Sequence, residues 1–179
     1  MTTQATVATP APGRACGTCN MCCKVFDIPA LEKPAGAWCQ NCKPGAGCTI
    51  YDARPDQCRA FFCYWMLTPD LTADWKPDKA RFVLTIDVNT KFLLAQVDSS
   101  QPSAWKRDPY YSQFKRWALA GLHEGRQVII FNNKAATIVL PDKDVELGEF
   151  GPDDRVFVSR RAIVGGFTFD AEKRKVQGQ

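Results

Sequence analysis

All nine cysteines of this 179-residue chain lie between Cys16 and Cys63. The run opens Cys16-Gly-Thr-Cys19-Asn-Met-Cys22-Cys23. It continues with Cys39-x-x-Cys42, Cys48, Cys58 and Cys63. Thiols used only for core packing would be scattered along the chain. Clustering points instead to a metal or iron–sulfur site, because thiolate is a soft ligand that selects zinc, Cu(I) or iron–sulfur clusters over magnesium or calcium. A disulfide framework fits less well, since the cysteine count is odd. The first 15 residues, MTTQATVATPAPGRA, also lack the basic start and apolar stretch of a secretory signal. A cytoplasmic location is therefore expected, where structural disulfides rarely persist. Neither CxxC sits at a predicted strand-to-helix junction, which argues against a thioredoxin-like dithiol.

Two ligand spacings compete. Cys16-x-x-Cys19 and Cys39-x-x-Cys42 are separated by 19 residues, which fits a four-cysteine zinc site built from two knuckles. Alternatively, Cys16-x-x-Cys19-x-x-Cys22 reproduces the first three ligands of the bacterial ferredoxin run, with Cys39, Cys58 or Cys63 as a remote fourth. The ferredoxin run's own fourth cysteine, followed by proline, is missing, because Lys24 follows Cys23. Adjacent side chains diverge, so the pair Cys22-Cys23 is expected to reach two neighbouring metals or two corners of a larger site. Two metal sites, or one cluster plus one zinc, would use eight of the nine thiols, with Cys42 or Cys23 as the uncertain member. Arg54 and Arg59 are candidate neighbours of the cofactor, where their charge would offset the thiolates.

Composition narrows the remaining possibilities. With 45% apolar and 23% charged residues the chain is globular in character. Residues 1–80 carry 8 basic and 7 acidic residues, and residues 81–179 carry 15 and 12. Neither half has the basic excess of a typical nucleic-acid footprint. No window approaches the roughly 18 apolar residues of a membrane span, so no membrane partner is expected. The expected partners are a metal ion and, for a docking module, another protein.

The expected class is α+β, in three regions. Residues 1–14 form a disordered leader. Residues 15–70 form a Cys-rich, loop-dominated metal module with turns at Pro34-Ala-Gly36 and Pro44-Gly-Ala-Gly47. A short helix is expected there from Pro55, at its first position, to about Met66. Residues 71–179 form a small, mainly antiparallel sheet with one packed helix. Its expected elements are a hairpin of residues 81–88 and 91–97 around Asn89-Thr90, a helix from Pro109 to about Glu124 closed by Gly125, and a second hairpin around Asn132-Asn133. Residues 155–159 and 166–169 are expected as edge strands.

Elsewhere the chemistry is sparse. His123 is the only histidine and lies near the end of the expected helix, where an exposed imidazole suits the dipole. Asp142, Asp144, Glu146 and Glu149 read as a solvated acidic face. No Ser-His-Asp set, HExxH, Walker A or GxGxxG motif is present, so no catalytic centre is legible.

The stretch Cys16-x-x-Cys19-x-x-Cys22-Cys23, followed by Gly47-Cys48-Thr-Ile-Tyr51-x-x-Arg54-Pro55-x-x-Cys58-Arg59-x-Phe61, resembles the YkgJ-type CxxCxxCC family, described as zinc- or iron-chelating proteins. The resemblance covers about residues 16–65. It implies metal ligation by Cys16, Cys19, Cys22, Cys23, Cys48 and Cys58, together with Cys39 and Cys63. Cys42 is not among the positions that the resemblance implies. Three functions follow as expectations. The first is a non-catalytic protein that binds zinc or iron through cysteine. The second is an iron–sulfur redox protein, either an electron carrier or an accessory subunit of an oxidoreductase. The third is a zinc-ribbon-like module that docks on protein or nucleic acid.

Overall fold

Proline, glycine and the cysteine loops break the first half of the chain into single turns, whereas the second half has longer apolar alternation and builds a sheet. A computed structural model describes residues 9–176. It shows a mixed α+β protein of two compact units, Met1–Leu84 and Thr85–Gln179. Residues 1–8 of the expected leader lie outside the described residues. Later leader residues are tied down. The Ala11 N–H donates to the Met66 carbonyl at 2.8 Å. Arg14 stacks 4.1 Å over the Trp65 ring and donates to the Pro69 carbonyl at 2.9 Å and to that of Leu71.

The first unit contains helical turns α1 (Cys22–Val25), α2 (Asp56–Arg59), α3 (Tyr64–Leu67) and α4 (Pro77–Ala80), with a two-residue ladder of β1 (Cys42–Lys43) and β2 (Gly47–Cys48). The single helix expected over Pro55–Met66 is interrupted. Pro55 caps α2 rather than occupying its first turn, and Cys63 is extended (φ −70°, ψ 159°) as it opens α3. That extended step carries the Cys63 side chain into the interior. Thr68, the residue before Pro69, ends α3, as the crowding of a proline ring on its predecessor requires. Met21, Val25, Ile28, Trp65, Met66, Trp75 and Phe82 are buried here. Trp75 and Phe82 meet edge to face, with centroids 6.1 Å apart.

The division between the units falls within β3 (Phe82–Ile86). Strands β4 (Leu93–Val97), β5 (Val128–Asn132), β6 (Ala135–Val139) and β7 (Asp144–Glu149) complete a five-stranded sheet of order β3-β4-β5-β6-β7. The turn after β3 is built by the Asp87 carboxylate, which accepts from the N–H groups of Asn89 and Thr90. Helix α5 (Tyr110–Gly121) crosses from β4 to β5, which run parallel. Its buried residues Tyr110, Phe114, Ala118 and Gly121 follow the 3–4 spacing of one helix face. Gly125 closes the following turn at φ +66°.

Three expectations for this half change. The sheet includes the parallel β4–β5 pair. The acidic residues Asp142, Glu146 and Glu149 are exposed as expected, whereas Asp144, in edge strand β7, is half-buried and accepts from Lys115 Nζ at 2.7 Å and from the Tyr111 hydroxyl at 3.0 Å. Residues 155–159 and 166–169 do not edge that sheet. They belong to β8 (Asp154–Ile163) and β9 (Gly166–Lys175), which pair with each other in a separate two-stranded sheet. Val156, Val158, Phe169 and Ala171 on that hairpin pack against a core of Ile129, Ile138 and Leu140, whereas Ile163, Val164 and Phe167 at its far end stay exposed.

Candidate metal centre

The two CxxC segments are both tight turns. The Cys19 N–H donates to the Cys16 carbonyl at 3.0 Å, and the Cys42 N–H to the Cys39 carbonyl at 3.0 Å. The chain then enters α1, which carries Cys22 and Cys23. Backbone bonds stitch these pieces together. The Cys39 N–H reaches the Cys23 carbonyl at 3.1 Å, and buried Asn20 accepts from the Gly45 N–H through Oδ1 at 2.9 Å. Across the small ladder Cys42 pairs directly with Cys48. Gln57 ties α2 to the segment after α1 by donating to the Asp27 carbonyl at 3.1 Å.

These turns converge on a cavity of about 220 Å³. Seven thiols line it, those of Cys16, Cys19, Cys22, Cys23, Cys39, Cys48 and Cys58. Phe26 and Phe61, edge to face at 5.1 Å, form part of the apolar wall. A second cavity of about 60 Å³ shares Cys16, Cys19, Cys22 and Cys58 and adds Cys63 and Lys76. Arg54 lines both cavities. Its Nε donates to the Tyr51 carbonyl at 2.8 Å, and its guanidinium lies 3.6 Å over the Tyr51 ring. Arg59, exposed at the end of α2, lines neither, and nor does Cys42.

All nine cysteines are free thiols. Cys22 and Cys23 both line the larger cavity. The Cys23 thiol is pulled down to about 6 by the hydrogen bond from Cys22, against the cost of burial, with help from Cys42 and from the charges of Lys33 and Arg54. Its neighbours keep their own protons. Cys22 is pushed far above the ordinary thiol range by that same bond and by burial, and Cys42 up to about 12 by burial and the nearby Cys23 charge. Burial raises Cys16, Cys19 and Cys58, and lifts Cys63 to about 11.

The donor set fits a soft metal on chemistry, since seven unpaired thiols share one largely apolar cavity. Geometrically the donors stand apart. Among the described residues no group of three or more His, Cys, Asp or Glu side chains is placed to hold a metal ion. His123 is exposed on the turn after α5. Among the described residues no helix is long and apolar enough to cross a membrane.

One participant was not legible beforehand. Lys33 is only 6% exposed, and its ammonium donates to the Lys24 carbonyl at 2.8 Å and to the Phe26 carbonyl. A lysine beside a proline in a polar loop carries no sequence mark that separates it from a surface residue. No family model, no curated protein and no solved structure matches the chain.

Proposed function

We propose that this chain is a cysteine-ligated metal-binding protein of the YkgJ type, cytoplasmic, taking zinc or iron in the cavity of its first unit. The observation that carries the reading is the convergence of seven free thiols from four separate stretches, residues 16–23, 39, 48 and 58, on one cavity. Packing alone gives no reason to gather them. Cys16, Cys19, Cys22, Cys23, Cys39, Cys48 and Cys58 would hold the metal there, and Cys63 would join Cys16, Cys19 and Cys22 at the smaller cavity. Metal bound through thiolates would supply either a structural cross-link or, as an iron–sulfur cluster, an electron store. The chain's own part is to gather the thiols, wall them with Phe26 and Phe61, and place Arg54 beside both cavities.

A second reading, an iron–sulfur redox protein, draws support from cavity size. About 10–15 Å³ of such space holds one water molecule, so the larger cavity, at about 220 Å³, has room for more than a single ion. Protein purified without oxygen decides between them. Iron with labile sulfide and absorption at about 400 nm supports the cluster. A colourless protein with one or two zinc ions supports the zinc site, since Zn²⁺ is d¹⁰. Absence of zinc, iron and copper, both as isolated and after anaerobic reconstitution, would refute the proposal.

A further inference from the structure

Lys33 is delivered to its position by a small closed loop. Residues Pro29–Leu31 form one 3-10 turn, Glu32 turns the chain back in the left-handed region at φ +50°, and Ile28 and Lys33 exchange backbone bonds of 2.8 and 3.2 Å. The side chain runs into the protein beneath the end of α1, the turn that bears Cys22 and Cys23, and caps the carbonyls of Lys24 and Phe26. Lysine is almost never buried to this extent without a charged partner. Two carbonyl dipoles satisfy two of its three donors and neutralise no charge. The ammonium is thereby fixed against the residue that follows Cys23 and against Phe26 of the cavity wall, and the negative charges that act on it come from Cys39, Cys23, Asp27 and Cys22. Asp27 is exposed, so water screens it. The three thiols line the larger cavity, as does Asp27 at its exposed edge. The other basic side chains of the site, Arg54 and Lys76, line the cavity walls.

We propose that Lys33 is a built-in counter-charge for a net-anionic thiolate centre, so that the cavity takes up its cation with thiolates in excess of the metal's charge. This rests on the thiolate-site reading above. A Zn²⁺ ion held by four thiolates carries about −2, and each thiol that binds releases its proton to solvent. The ammonium is a positioning group in this arrangement. It lowers the cost of gathering thiolates in an apolar cavity without touching the metal.

The test is Zn²⁺ affinity of the full-length protein, measured by competition with a chelator, in wild type, Lys33→Met and Lys33→Arg. Lys33→Met keeps the length and loses the charge, so its Zn²⁺ dissociation constant rises tenfold or more. Lys33→Arg keeps the charge and stays within about threefold of wild type, the smaller side of a tenfold, 1.4 kcal/mol step. Circular dichroism at saturating zinc confirms that both variants fold. Should Lys33→Met fail to fold, Lys33→Gln, which keeps a donor for the carbonyls, is the neutral variant measured instead. Unchanged affinity in the neutral variant, or equal weakening in the neutral and arginine variants, would overturn the counter-charge. Failure of the wild type itself to bind zinc or iron would instead bring down the site reading beneath it.

Discussion

Cys22 and its chain neighbour Cys23 both line the larger cavity, and a side-chain hydrogen bond between them raises the first thiol and lowers the second. One of two adjacent residues is thereby held as the proton-bearing partner and the other as the thiolate. Cys42 adds a second hydrogen bond to the same sulfur. The metal-free protein should accordingly contain one thiol far more reactive than the rest, since the thiolate is the nucleophile. Alkylation mapped residue by residue at pH 7 should label Cys23 first, with a midpoint near 6. Cys63, raised to about 11, should resist. Labelling of all nine cysteines with a common midpoint of about 8.5, the value of a free thiol, would contradict the hydrogen-bonded arrangement.

The same shifts set the pH dependence of the metal-free fold. An acid group depressed in the fold stabilises it above its unfolded value and loses that contribution as pH falls through the folded one. Cys23, lowered from 9.0 to about 6, therefore makes stability rise between pH 6 and 9. Cys42 and Cys63 act in the opposite sense. Raised from 9.0 to about 12 and about 11, they keep their protons in the fold after the unfolded chain has lost them, so stability falls above pH 9. Chemical denaturation followed from pH 5.5 to 10.5 should show a maximum near pH 9. A curve that only falls over this range would assign the thiolate wrongly.

Helix α5 was legible because Tyr110 and Phe114 stand one turn apart on a face that packs inward, and because Gly125 supplies the left-handed closure. The β8–β9 hairpin was underestimated for the converse reason. Its apolar alternation at Val156, Val158, Phe169 and Ala171 stops at Arg160, and the outer half is exposed, so backbone pairing rather than burial extends it to Ile163 and Gly166. The helix expected across Pro55–Met66 relied on Pro55 as a first-turn residue, whereas Cys63 takes an extended backbone and its side chain is buried. The parallel β4–β5 pairing is a long-range property that hydrophobic period does not encode. In the site, the clustering of cysteines marked the seven thiols that line one cavity. The burial of Lys33 depends on how the loop at residues 28–33 closes back on the end of α1.

Loss of a shared thiol should separate the two units. Cys22 lines both cavities, so Cys22→Ser should lose metal and loosen Met1–Leu84. The unit Thr85–Gln179 has its own core of Ile129, Ile138 and Leu140 and should stay folded. Structural zinc contributes on the order of 10 kcal/mol or more in small metal modules, so stripping wild type with a chelator should have the same effect. Hydrogen exchange on the loaded, stripped and variant proteins measures this directly. Fast exchange in α5 and β5–β6 after metal removal, or full metal content in Cys22→Ser, would rule it out.

Cys42 is expected to behave differently from its CxxC partner. Cys39 is buried and lines the larger cavity, whereas Cys42 lines neither cavity and bonds to the Cys23 sulfur. Cys39→Ser should therefore reduce bound metal per chain. Cys42→Ala should retain the metal and, in the stripped protein, move the Cys23 titration upward, because one of two donors to the thiolate is gone. Elemental analysis of the two variants purified side by side gives the comparison, and equal metal loss in both would place Cys42 among the ligands.

Gly121 tests the packing of the second unit. It is a helical glycine at φ −72°, where alanine would ordinarily gain about 1 kcal/mol from helix propensity. Here a Cβ would stand 2.6 Å from the Arg126 carbonyl oxygen and 3.2 Å from its carbon. The Arg126 N–H donates to the Gly121 carbonyl at 2.9 Å, so the backbone that would have to move is itself pinned to the helix end. Steric cost should exceed propensity, since overpacking against a constrained neighbour costs about 1–3 kcal/mol. Gly121→Ala should thus destabilise Thr85–Gln179 by up to roughly 2 kcal/mol net, on those two magnitudes, with metal content unchanged. Thermal denaturation of the loaded variant measures it, and a stabilised protein would show that the turn from α5 into β5 can open at little cost.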